Sequence, residues 1–364
     1  MTMTALQEME KPRIVPLNDP FLVDCSPGGR PRPWSEKKVA NELLALAYDK
    51  IDPKKAERLR ACASWLTFSI GDGGDKVLKK ANFCRVRLCP MCQWRRSLKT
   101  YAQMRAIIDY LEKDYAYNYI FLTLTVRSCE PEEIQSVLNT MMQAWNRFVG
   151  YKPFKMAVKG WFRSLEIVHD VNEIITREMW YGDPARHVKG RSRYFKKLGL
   201  KIGDMNPNFD LMHPHFHVLL AVNKSYFKDV RAYLTHDEWV KLWERALKVD
   251  YVPVVDVRKI KGEAVDAVAE ASKYTVKDSD YIVPTDWDLT TKTVEILDKA
   301  LDKRRFLAFG GVMKEAHQKL HLDDVEDGDL LHVDGETVAE DIKNTITYAW
   351  SSGYRQYIYG LDTY

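Results

Sequence analysis

Near the middle of the chain, His215-Phe216-His217 runs directly into Val218-Leu219-Leu220-Ala221-Val222. A continuous aliphatic run of this kind reads as a β-strand, and side chains alternate along a strand. His215 and His217 therefore share one face, while Phe216 points to the other and into a core. Two imidazoles fixed on one face of a rigid element form half of a divalent-cation site. A carboxylate usually completes such a set. The best candidate is Glu166, in Ser164-Leu165-Glu166-Ile167-Val168, because an acid inside an apolar strand is costly unless paired or ligated. His213 shares the histidine face at the strand's entry and reads as facing substrate or supporting the ligands. His169 is a weaker ligand candidate.

A helix over Glu263–Tyr274 has Val265, Val268 and Ala269 at helical spacing and puts Glu270 and Tyr274 four apart, on one face. A phenol titrates near pH 10 and is a poor nucleophile near neutrality. A cation across the cleft and Lys273 or Lys277 would stabilise its charged form. A carboxylate one turn away could activate water. The bland alternative is an amphipathic helix with a packed tyrosine and a solvated acid. Tyr281, after Asp278-Ser279-Asp280, is the second candidate nucleophile.

Six cysteines are too few for a disulfide scaffold in 364 residues, and their clustering points to metal. Cys84, Cys89 and Cys92, with Cys62 upstream, supply four thiolates for a structural, tetrahedral zinc ion. Cys62 is the least certain of the four. Cys25 and Cys129 read as unpaired structural residues. The helix that follows carries Arg95, Arg96 and Lys99, whose charges favour thiolates. Net charge is only +4, but Arg186–Lys201 is strongly basic and Asp323–Asp341 strongly acidic. Arg95, Arg96, Arg191, Arg193, Lys196 and Lys197 are accordingly expected to contact nucleic-acid backbone. The competing reading of the basic run is a solvated loop.

The pattern divides the chain into a disordered N-terminus (1–35), a zinc-binding hairpin and helix unit (36–115), a central domain (116–290) with a polar insertion at 170–210, and a C-terminal helical and aromatic extension (291–364). The central order, β-α-β-β-α-β-α, predicts an α+β fold: an antiparallel sheet of the ferredoxin-like, split βαβ type covered by helices. No apolar run is long enough to span a bilayer, and Met1–Lys11 lacks a signal-peptide core, so no membrane partner and a cytoplasmic location are expected.

Taken together, Asn82–Cys92, Phe121-Leu122-Thr123-Leu124-Thr125, His213-Pro214-His215-Phe216-His217, Lys273-Tyr274 and Phe309-Gly310-Gly311 resemble the rolling-circle replication initiators of small plasmids from Gram-positive bacteria, members of the HUH endonucleases. The resemblance covers roughly residues 60–315. It implies a DNA endonuclease and nucleotidyltransferase with an HUH nuclease core. His215 and His217 match the family's metal histidines, for Mg²⁺ or Mn²⁺, and Glu166 is assigned on position. Tyr274 matches the tyrosine that attacks the origin nick site, leaving a 5′-phosphotyrosine and a free 3′-OH. Glu270 matches the glutamate that activates water for the terminating cleavage. Origin DNA, as a hairpin or single-stranded nick site, host DNA polymerase and a host helicase are the implied partners. The absence of a Walker-type phosphate loop fits a separate helicase. The insertion departs from simpler members. A single-strand transposase or relaxase, and a non-catalytic zinc-dependent repressor, are the competing readings.

Overall fold

The computed structural model describes residues 20–26, 28–71, 76–114, 117–183, 188–260, 268–269, 271–272, 276–333 and 345–360. Two antiparallel sheets organise it. The smaller one is built on the hairpin of β1 (Trp65–Ile70) and β2 (Lys76–Ala81), and the larger one on β3 (Tyr117–Thr125), β4 (Val158–His169), β7 (Met212–Asn223), β8 (Val255–Lys259) and β9 (Leu307–Gly311). The order across the larger sheet is β8-β3-β7-β4-β9, every neighbouring pair antiparallel. β3 and β4 thus run parallel with β7 inserted between them, so the histidine strand is the central strand.

Helix α4 (Ile134–Gly150) makes the β3-to-β4 crossover. A Pro131–Glu133 turn opens it, with Glu130 and Glu133 satisfying each other's backbone N–H groups. Ile134, Leu138, Met141, Trp145 and Phe148 form its buried stripe at three- and four-residue spacing. Helix α8 (His236–Leu247) is started by Thr235 and Glu238 in the same reciprocal way and buries Trp239 and Trp243. These two helices pack together on one face of the sheet, against Leu165, Phe216, Val218 and Leu220. The other face meets α3 (Pro90–Asp114), Val268, Ala271 and α10 (Val312–Lys319) through Phe121, Phe162, Leu219 and Ala221. Alternation along β7 divides Phe216, Val218 and Leu220 from His215, His217 and Leu219.

The smaller sheet joins segments far apart in the chain. Two strands near the C-terminus, β10 (Thr345–Ser351) and β11 (Gln356–Tyr359), extend the hairpin to the order β11-β10-β1-β2. Helix α1 (Trp34–Ile51) lies against it, Trp34 meeting Phe68 and Trp94 edge to face. Helix α2 (Pro53–Ala61) leads into the hairpin, and α9 (Trp287–Leu301) packs on both α1 and α4. The 170–210 insertion has its own small core of Ile175, Met179 and Phe195, the last stacked on Trp180. It is built from α6 (Arg177–Tyr181), α7 (Ser192–Lys197) and the two-residue strands β5 (Gly182–Asp183) and β6 (Val188–Lys189). The short helix α5 (Lys152–Ala157) precedes β4. No described helix is long and apolar enough to cross a membrane.

β9 ends where Gly310 and Gly311 let it close on β4. A Cβ at Gly310 would lie 2.2 Å from the Trp161 ring, and one at Gly311, whose φ is +54°, would lie 2.1 Å from the Lys159 carbonyl oxygen. Gly311→Ala should therefore combine a disfavoured backbone with a backbone clash. We expect a loss of about 2 kcal/mol or more, read from urea unfolding.

Candidate metal centres

Pairing of β4 with β7 sets Glu166 directly opposite His215, and pairing of β3 with β7 sets Thr123 opposite His217. The three side chains converge and are buried. His217 Nε2 lies 2.7 Å from Glu166 Oε2, His215 Nε2 lies 3.4 Å from the same oxygen, and the two Nε2 atoms are 3.2 Å apart. The outer ring nitrogens are engaged elsewhere: His215 Nδ1 is 3.2 Å from the His213 carbonyl, and His217 Nδ1 is 3.4 Å from the Thr123 hydroxyl. An Nδ1–H donated outward leaves the Nε2 lone pair free for a cation. Adjacent ligands about 2.1 Å from an octahedral ion lie about 3.0 Å apart, a spacing the three atoms bracket. Burial by itself would raise the Glu166 pKa, but hydrogen bonds and charge from His215 and His217 outweigh it and hold the carboxylate ionised. The arrangement suits a divalent cation with open positions.

The neighbours sort differently from the sequence expectation. Both ring nitrogens of His169 are occupied, by the Asp280 carbonyl at 3.0 Å and the Asp210 carboxylate at 2.9 Å. It is therefore a strut between segments rather than a ligand. His213 stands beside His215, with Nδ1 3.2 Å from the Ser128 hydroxyl. Burial, with the charge of His215, lowers its pKa to about 4. Tyr281 is corrected outright: it is fully buried, its hydroxyl donates to the Leu88 carbonyl at 2.6 Å, and burial pushes its pKa far up. It cannot reach a substrate. Tyr274, Glu270 and Lys273 lie outside the described residues. Beside them in the chain, Val268 and Ala271 pack on the sheet face that carries the triad. After them, Lys277 acts electrostatically on Asp280, which also feels Glu166.

The second centre gathers Cys62, Cys84, Cys89 and Cys92, all four sulfurs within 4.8 Å of one another. Sulfur separations are 3.6 Å for Cys62–Cys89, 3.8 Å for Cys62–Cys92 and 3.8 Å for Cys84–Cys92. A tetrahedral ion with bonds of about 2.3 Å requires about 3.8 Å between sulfurs, so the set fits. Backbone N–H groups of Cys84, Arg85, Val86 and Cys92 point at the sulfurs, at 3.3–3.4 Å. With protons alone, hydrogen bonding to Cys84 raises Cys62, and burial raises Cys89. Cys84 is also raised, its bond to Cys62 being outweighed by those to Cys89 and Cys92 and by burial. At Cys92 burial is overcome by hydrogen bonds from the other three thiols and the charge of Arg96, which leave it low. A divalent cation held there would let all four ionise together.

The profile of a family described as replication proteins matches residues 75–358. The chain belongs to this family of plasmid Rep initiators. A Protein rep of Bacillus amyloliquefaciens is 36% identical over 367 residues, covering 93% of this chain and 97% of its own length. A Protein rep of Streptococcus pneumoniae is 30% identical, covering 93% and 95%, and one of a Bacillus species is 37% identical, covering 77% and 85%. No solved structure matches.

The basic residues of this Rep chain divide into two groups. Arg95 is 1% exposed, donates to the Leu330 and Leu331 carbonyls, and lies over the Trp34 and Trp94 rings, so it cannot contact DNA. Arg96 donates to the Glu326 carbonyl, and Lys99 pairs with Asp323 at 2.7 Å. The acidic segment from Asp323 folds back over this helix, which is why the cations expected at the surface are enclosed. In the insertion, Arg191 pairs with Asp170 at 2.6 Å, whereas Arg193, Lys196 and Lys197 are exposed. Sequence reading passed over Asp280, whose Oδ2 is buried without a hydrogen-bond partner. An acid ending Asp-Ser-Asp looks like any polar turn.

Cys89→Ser should lose one tightly bound metal ion per chain by elemental analysis and lower the thermal midpoint; retention of the ion by a folded variant would remove Cys89 from the set. Burial, against the opposing charge of Lys277, raises the Asp280 pKa to about 7. A raised carboxyl contributes stability that is present below about pH 3.8 and lost as pH climbs through about 7. Asp280→Asn should accordingly raise the melting temperature at pH 8 more than at pH 5.

Proposed function

We propose that this Rep protein nicks and rejoins one strand of plasmid origin DNA through a tyrosine-linked intermediate. The observation that carries the reading is the convergence of His215 Nε2, His217 Nε2 and Glu166 Oε2 on the central strand of a chain from this family. The strand order, with β3 and β4 flanking β7 and β8 outside β3, supports a ferredoxin-like HUH nuclease core.

A Mg²⁺ or Mn²⁺ ion held by Glu166, His215 and His217 would polarise a non-bridging oxygen of the scissile phosphate. The Tyr274 hydroxyl attacks phosphorus. The new bond joins the tyrosine oxygen to the 5′-phosphate, and the broken P–O bond leaves a 3′-OH, which takes a proton as the phenol loses one. That 3′-OH is a primer for host DNA polymerase, with a host helicase opening the duplex. Lys277 stabilises charge on the attacking oxygen. Glu270 activates water for the terminating cleavage, so that the second event is hydrolytic. The four-cysteine centre is read as structural zinc. Arg193, Lys196 and Lys197 on the insertion are read as phosphate contacts, and the cytoplasm as the working compartment.

Tyr274→Phe should abolish the detergent-stable protein–DNA adduct formed with a hairpin oligonucleotide and Mn²⁺, while oligonucleotide binding persists. An undiminished adduct would move the nucleophile elsewhere. Binding without cleavage in the unaltered protein at any divalent-ion concentration would favour a repressor. Glu270→Ala should nick normally and accumulate adduct; equal loss of the first nick would overturn its assignment to termination.

A further inference from the structure

The sheet face opposite the triad carries a charged group that the nicking reading leaves unused. Arg163 is on β4, three residues before Glu166, about 10 Å along the strand and on the other face. It is only 4% exposed. Its guanidinium lies 4.6 Å above the Phe216 ring and 5.7 Å from that of Trp145. Nη1 faces the Met142 thioether at 2.9 Å, a weak acceptor, and Nη2 makes one long bond of 3.4 Å to the Arg305 carbonyl. Nε is buried with no partner at all. Among the described residues, no carboxylate pairs with it. A buried cation in this state is expensive to keep, and burial, against the opposing charge of Glu326, lowers its pKa to about 10.

Arg163 lines a surface cleft of about 260 Å³ between α4 and β9, together with Trp145, Asn146, Trp161, Arg304 and Arg305. Arg304 bonds to Asn139 Oδ1 at 2.6 Å and to the Ala300 and Gln135 carbonyls, again with no carboxylate. Arg305 pairs with Asp324 at the rim, and its side chain is mostly exposed. Trp161 forms a flat wall, held against β9 by the absence of a side chain at Gly310. Three guanidinium groups and an indole around one cleft match a phosphate with an attached base.

We propose that this cleft binds a phosphodiester group of the single DNA strand, with the adjoining base against Trp161, where the strand passes round the β9 edge from the metal triad. The inference rests on the DNA-nicking reading and adds a second point of contact. β9 is the outermost strand on that side, so a single strand separates β4 from the edge of the sheet.

The test is fluorescence anisotropy of a labelled single-stranded oligonucleotide with the full-length chain, unaltered and as Arg163→Gln, Arg163→Lys and Arg304→Gln, each checked for folding by near-UV circular dichroism. Arg163→Gln and Arg304→Gln should bind about tenfold more weakly, with a salt dependence shallower by about 0.7 in log–log slope for the lost phosphate contact; Arg163→Lys should recover part of the loss. If Arg163→Gln does not fold, Arg304→Gln, at the partly exposed rim, decides alone. Unchanged affinity and slope in the folded variants would overturn the cleft while leaving the nicking reading standing. Should the unaltered protein bind no oligonucleotide, the nicking reading falls and the DNA occupant with it. In a second arm, inorganic phosphate is the probe. Thermal stabilisation of the unaltered protein but not of Arg304→Gln, with oligonucleotide binding unaffected, would assign the cleft to a free anion and overturn its assignment to DNA.

Discussion

A carboxylate in the middle of an interior strand has to be met by donors or by a cation, and Glu166 is met by two imidazoles from the strand beside it. This need does more than equip a site. A slip of one residue between β4 and β7 would turn Glu166 into the layer of α4 and α8 and bring Leu165 and Ile167 to the polar side. The apolar alternation of both strands and the meeting of Glu166 with His215 demand the same register. The centre and the core therefore specify each other, and loss of either would loosen both.

The two faces of the sheet have different characters because the strands alternate. On one, the triad sits at the end of an apolar layer formed with α3 and α10. On the other, aromatic residues of α4 and α8 fill the core, and Arg163 is set among them. The segment 323–331 joins these regions: it ties down Arg95, Arg96 and Lys99 on α3 and reaches Arg305 beside the cleft. Its negative charge lies against the basic helix, leaving the exposed cations of the insertion as the more accessible positive surface.

Much of this was legible in the residues. The histidine strand, Glu166 and the four cysteines were readable because each carries a chemical demand that few structures satisfy, and strand alternation or short spacing then limits the geometry. The helices α4 and α8 were expected within the β-α-β-β-α-β-α order. Arg95 was misread because helical periodicity gives a face but not what covers it, and its cover comes from more than 200 residues downstream. Tyr281 failed for the same reason: its burial depends on Leu88, far away in the chain. Arg163 and Asp280 left no local mark, since an arginine in a strand and an acid in a turn are ordinary until their surroundings are known. The aromatic tail could be noticed, but not its destination.

That destination bears on how the molecule is made. β1 takes β10 as its neighbour across 280 residues, as the Thr67–Thr347 hydroxyl contact shows. Emerging from the ribosome, the early hairpin waits for its partner on that side until residues 345–351 have been released. Contacts so distant in sequence form late. Any product ending before Thr345 would lack this clasp, so only chains translated through β10 can complete the sheet beside the thiol cluster.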